Sequence, residues 1–73
     1  MLIVSQDREV IVNLDSVESI STEDLTIKAF IAADCASYYE LGTYASEEKA
    51  KYEMQCLWSS YANGQRVFLM SKN

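Results

Sequence analysis

The sequence predicts an α+β fold: an antiparallel sheet of five to six short strands with one helix, about residues 46–63, packed on one face. Three observations predict it. The stretch from Ser46 to Gly64 carries apolar residues at helical spacing and ends on Asn63-Gly64. Everything before it is short β-branched and apolar runs separated by Asp, Asn, Ser and Glu. The chain has 73 residues, no proline and only two glycines, so it reads as a single domain, 1–73, without a linker.

Leu2 to Ser5 and Val10 to Asn13 form a hairpin around the solvated turn Gln6-Asp7-Arg8-Glu9. If the turn closes evenly, Val4 faces Ile11 and Ile3 faces Val12. Both faces of the pair are then apolar, which places it centrally in a sheet or under cover on two sides. Asn13-Leu14-Asp15-Ser16 is a corner of side chains that bond their own backbone. Val17 to Ser21 is a short strand, Thr22-Glu23-Asp24 a turn, and Leu25 to Ala32 an alternating strand. Ala33-Asp34-Cys35 turns the chain into a further strand, Ala36 to Leu41. Pairing across that turn sets Ile27 opposite Leu41, Ala29 opposite Tyr39, Lys28 opposite Glu40 and Phe30 opposite Tyr38. Each pair joins like with like or opposite charges. Across the earlier turn, Ile20 falls opposite Ile27 and Val17 beside Phe30. One sheet face thus carries Ile20, Ile27, Ala29, Ile31, Tyr39 and Leu41 and is expected to receive the helix stripe, and the other carries a row of Val17, Phe30 and Tyr38.

Ser46 suits the N-cap, and Glu47 and Glu48 favour the positive end of the helix dipole. Ala50, Met54, Leu57 and Tyr61 make the buried stripe, with Trp58 at its edge, so both aromatics are expected in the core. Gly64 accepts the left-handed stop conformation. Arg66 to Met70 alternates as a last strand, Val67 and Leu69 on one side, Phe68 and Met70 on the other. It closes a sheet edge or pairs with another chain. Ser71-Lys72-Asn73 is expected to fray.

Composition narrows the function. Eleven acids against six scattered bases give a net charge of −5, which argues against a surface that holds phosphates through Lys and Arg. There is no histidine, and the two cysteines, Cys35 and Cys56, are far apart. That removes the commonest neutral-pH base and metal ligand, and neither thiol has a partner to activate it. No catalytic residues, metal site or cofactor are expected. No apolar run approaches the ~20 residues of a spanning helix, and Met1-Leu2-Ile3-Val4 is too short for a signal-peptide core. A cytoplasmic protein without a membrane partner is expected. So small a domain gains stability from association.

The opening LIVSQDREVIVNLDSV and the run LGTYASEEKA, Leu41 to Ala50, resemble small uncharacterised proteins of Gram-positive bacteria and their phages. The resemblance implies a bacterial or phage origin. It carries over no activity and no functional residue.

The expectation is therefore a non-catalytic small protein-interaction or structural module, a homodimer, with Val17, Phe30 and Tyr38 as its partner-binding row. The competing reading of that row is internal: aromatics that stiffen a thin sheet, or that a terminal strand covers. The alternative function is an acidic regulator acting on nucleic acid or on a nucleic-acid-binding protein.

Overall fold

The structure is a computed structural model and describes residues 1–31 and 37–72. The expected turn Ala33-Asp34-Cys35, the neighbouring Ala32 and Ala36, and Asn73 lie outside the described residues. The chain is α+β, with six strands and one long helix among the described residues. In order these are β1 (Leu2–Val4), β2 (Ile11–Asn13), β3 (Ser19–Glu23), β4 (Thr26–Phe30), β5 (Tyr38–Thr43), α1 (Glu47–Ala62) and β6 (Val67–Leu69), with a 3-10 turn, Leu14–Ser16, after β2.

The strands form two sheets of three, β2-β1-β6 and β3-β4-β5, not the single sheet expected. The corner after β2 divides them. The Asn13 side chain accepts the Asp15 N–H at 3.0 Å and starts the 3-10 turn, so the chain leaves the first sheet instead of continuing it. After the helix it returns on the other side of β1, and β6 pairs parallel to β1. β1 is thus the central strand of its sheet. The even closure of the first hairpin holds: Ile3 pairs Val12 and Val4 pairs Ile11. Its turn has no glycine, and Arg8 takes a positive φ of 65°. Asp7 Oδ1 accepts the Ser5 hydroxyl at 2.6 Å and the Glu9 N–H at 3.0 Å, which holds the loop in that form.

In the second sheet, Lys28 pairs Glu40, Ala29 pairs Tyr39 and Phe30 pairs Tyr38, as expected. The register then slips. Ile27 lies opposite Gly42, and Leu41 is the extra residue of a β-bulge. Gly42 belongs at this bulge because a Cβ there would stand 3.0 Å from the Tyr44 hydroxyl and 3.2 Å from the Gln6 Cβ. The β3–β4 register also differs: Ile20 pairs Ala29 and Ser19 pairs Phe30. The cause is a two-residue turn, Asp24-Leu25, in which Asp24 takes φ 55°, a left-handed state that Asp tolerates. A shift of two leaves each side chain on its original face.

The core lies between the sheets and the helix. It joins Ile3 and Val12 of the first sheet, Ile27, Ala29 and Leu41 of the second, Ala50 and Leu57 of α1, and Tyr44 and Met70. The Ser46 hydroxyl accepts the Lys49 N–H at 3.2 Å, and Gly64 ends the helix at φ 78°. The buried positions of α1 are Ala50, Glu53 and Leu57, with Met54 half-buried. Trp58 and Tyr61 are not core residues: they are 62% and 57% exposed. Ile31 and Tyr39, expected beneath the helix, are exposed too.

Candidate interaction surfaces

Pairing register decides which side chains share a sheet face. On the outside of β2-β1-β6, one row reads Ile11, Val4, Leu69 and the next Asn13, Leu2, Val67. Five of the six are aliphatic and none is charged. Ile11 is 65% and Leu69 57% exposed, and Leu2 and Val67 are exposed as well. The opposite side of the same strands, Val12, Ile3 and Phe68, packs into the core. The two-sided hairpin noted in the sequence therefore has one side covered and one bare.

The outside of β3-β4-β5 is different. Its rows are Ser19, Phe30, Tyr38; Ser21, Lys28, Glu40; and Glu23, Thr26, Thr43. Phe30 and Tyr38 are brought together, ring centres 5.6 Å apart and planes at 55°. Phe30 is only 5% exposed. The Lys28 ammonium stands 4.5 Å above the Tyr38 ring and 3.0 Å from Glu23 Oε1. That hydrogen bond raises the Lys28 pKa above its usual value. The expected partner-binding row is not assembled as one surface. Ser19 takes the place beside Phe30, and Val17 packs against the core.

Val17 instead lines an open groove of about 370 Å³ between the 14–20 segment and the C-terminal half of α1. Leu14 and Ile20 line it from that segment, and Met54, Leu57, Trp58 and Tyr61 line it from α1. This explains why the two aromatics escaped the core. Both rings line the groove and stay exposed.

The polar contacts near the C-terminus hold the fold together. Glu53 is buried, and its carboxylate accepts the Ser71 N–H at 2.7 Å and the Ser71 hydroxyl at 2.8 Å. The Tyr44 hydroxyl donates to the Ser71 carbonyl at 2.9 Å. Burial, then the Glu53 carboxylate, push the Tyr44 pKa up, while the Ser71 bond and Arg8 pull it down. Arg8 Nη1 donates to the Met70 carbonyl at 2.7 Å. Gln6 joins the sheets: its backbone N–H donates to the Leu41 carbonyl, and its side-chain amide both donates to the Thr43 carbonyl and accepts the Thr43 N–H. On the outer side of α1, the Cys56 thiol raises the Tyr52 pKa by hydrogen bonding.

No group of three or more metal-ligating side chains occurs among the described residues. No described helix is long and apolar enough to cross a membrane. Compared with known proteins, the chain matches no family model, no curated protein and no solved structure.

Proposed function

We propose that the chain is a non-catalytic protein-interaction or structural module that works as a homodimer, joined through the outer face of β2-β1-β6. The observation that carries this reading is the uncharged row Ile11-Val4-Leu69 backed by Leu2 and Val67, all exposed but the half-buried Val4, on a chain of net charge −5. Water-exposed aliphatic patches of this kind mark interaction sites. Two copies of so acidic a chain repel at most surfaces, and a face without charge lets them meet. A two-fold axis through Val4 would set the same patch on itself, sheet against sheet at about 10 Å, as in a β-sandwich. The expected row of Val17, Phe30 and Tyr38 is less suited, because Phe30 has almost no free area and Val17 points elsewhere. A cytoplasmic setting belongs to the same proposal and agrees with the free thiol of Cys56.

Sedimentation equilibrium tests it. The wild-type chain should reach twice its 8.3 kDa mass at micromolar concentration. Ile11→Lys with Leu69→Lys should remain monomeric and folded by circular dichroism, since both positions already face water. Tyr38→Ser should leave the dimer unchanged. A wild-type monomer at every concentration removes the homodimer. A dimer insensitive to the lysine pair removes this face from it.

A further inference from the structure

β6 lacks the alternation that fixes most strands. Val67, Phe68, Leu69 and Met70 are all apolar, and its neighbour β1 reads Leu2-Ile3-Val4. Slipping a strand by one residue exchanges its two faces, which is costly when one face is polar. Here the slip would exchange one apolar pair for another. Yet Phe68 lies opposite Ile3 and Met70 is fully buried, while Val67 and Leu69 face water. Hydrophobic pattern alone does not select this arrangement.

The selection falls to the residues just after β6. Ser71 and Lys72, expected to fray, are tied down. Arg8 donates to the Met70 carbonyl, the Tyr44 hydroxyl to the Ser71 carbonyl, and the Gln6 amide to the Ser71 and Lys72 carbonyls at 3.3 and 3.0 Å. Every residue supplies a main-chain carbonyl, so these bonds hold the segment in any register. Glu53 Oε2 likewise accepts the main-chain N–H of Ser71. Glu53 Oε1 accepts the Ser71 hydroxyl at 2.8 Å, and among these bonds only that one reads a side chain. Burial makes the reading strict. Glu53 is 5% exposed, in the helix stripe of Ala50 and Leu57. An apolar residue would fill that place as well, whereas a buried carboxylate short of a donor is strongly destabilising. With β6 moved back by one residue, Met70 would meet Glu53 and offer only its N–H. With β6 moved on by one, the Ser71 hydroxyl would enter the buried place of Met70 without its partner, and Lys72 would lose its hydration beside Glu53.

We infer that Glu53 is the positioning residue of the proposed interface. Through the Ser71 hydroxyl it fixes the register of β6, and so decides that Val67 and Leu69, not Phe68 and Met70, are presented to a second copy. The link to a second copy rests on the homodimer reading; the register does not.

Moving the serine by one place tests it. Ser71→Met with Lys72→Ser leaves Met70 in the core if β6 stays, and supplies a methionine for the same place if β6 moves on. Ser71 is exposed, so the chain folds in either register, and one more residue in the 63–66 connection costs little. Nuclear Overhauser contacts between β1 and β6 of one chain read the result. The strand should move on, with Leu69 opposite Ile3 and Phe68 and Met70 in water. Adding Glu53→Leu should return Phe68 to Ile3. Ser71→Thr, which keeps a hydroxyl, and Lys72→Ser alone should hold the wild-type register. Phe68 still opposite Ile3 in the serine-shifted variant, or a slip that survives Glu53→Leu, would overturn the inference. A wild type that stays monomeric removes the homodimer and leaves these contacts as they are. Where the wild type dimerises, the slipped strand should change the dimer dissociation constant about tenfold or more. An unchanged constant would overturn the link between register and interface.

Discussion

On the outside of β3-β4-β5, polar chemistry covers every row. Phe30 is capped by Tyr38, Tyr38 by the Lys28 ammonium, and Lys28 by Glu23, while the Thr26 and Thr43 hydroxyls bond each other at 3.0 Å. On the outside of β2-β1-β6 nothing comparable occurs, and Ile11, Leu69, Leu2 and Val67 meet water directly. Yet the inner faces of both sheets feed the same core. The difference teaches that apolar content alone does not locate an interaction surface. The second sheet holds the aromatic pair that looks adhesive in sequence; Phe30 is buried, and Tyr38, itself 42% exposed, lies under the Lys28 ammonium. The first sheet holds plain aliphatics with no shield. The edges reverse the contrast, since among the described residues β3 pairs with no strand beyond β4, while Gln6 bonds β5 at Leu41 and Thr43.

The largest effects should test the shared core. Ile3→Ala and Ile27→Ala remove fully buried side chains, one from each sheet, and each should cost about 2–5 kcal/mol in urea unfolding. Similar losses in a single transition mean that both sheets melt together. If one substitution costs almost nothing, the sheets do not share a core.

Next comes the bulge that sets the second sheet's register. Gly42→Ala puts a methyl within 3.0–3.2 Å of Tyr44 and Gln6. Tyr44 is held by its bond to Ser71 and cannot easily yield, so the cost should be about 1–3 kcal/mol. A neutral result in the same urea assay would mean that the bulge has room. Gln6→Ala unties the two sheets at Thr43 and should cost about 1–2 kcal/mol. It should also speed amide exchange at Thr43 and leave Ile20 unchanged, which sharpens the contrast between the two edges.

Two titrations give the smallest effects, one from each end of the pH scale. The Tyr44 phenol has a pKa raised above 10.0, so the folded chain keeps this proton to higher pH than the unfolded chain. Its contribution is complete below that ordinary value and fades as pH rises through the raised one. Tyr44→Phe should therefore flatten the alkaline fall in melting temperature. Asp7 behaves in the opposite sense. Its carboxyl is lowered from 3.8, chiefly by the Ser5 hydroxyl and then by the Glu9 N–H. Its contribution is present above that value and disappears as pH falls through the lowered one. Asp7→Asn should weaken the acid dependence of melting, and an unchanged acid limb would show that the first hairpin turn carries none of it.

Local chemistry made much of the fold legible. Ser46 and Gly64 bracket the helix because a cap and a left-handed stop depend on single residues. Ile3 with Val12 and Lys28 with Glu40 follow from matching side chains across a turn. What escaped depends on distant partners. Glu53 shares the stripe of Ala50 and Leu57 at steps of three and four, a signal present in the sequence. Its burial is tolerated only because Ser71 arrives from the far end of the chain to bond it. The Leu41 bulge follows from the close approach of Gln6 and Tyr44 to Gly42. Trp58 and Tyr61 line an open groove with the 14–20 segment instead of filling the core, which periodicity does not record. The bare face needed β6 beside β1, a parallel pairing that only the helix crossover creates.

The most direct test is an isotope-filtered nuclear Overhauser measurement on a mixture of methyl-labelled and unlabelled chains. Contacts between copies should join the methyl groups of Ile11, Val4 and Leu69 to the same three residues of the second copy. Intermolecular contacts found only at Phe30 and Tyr38, or none at concentrations where the mass is doubled, would contradict the proposed interface.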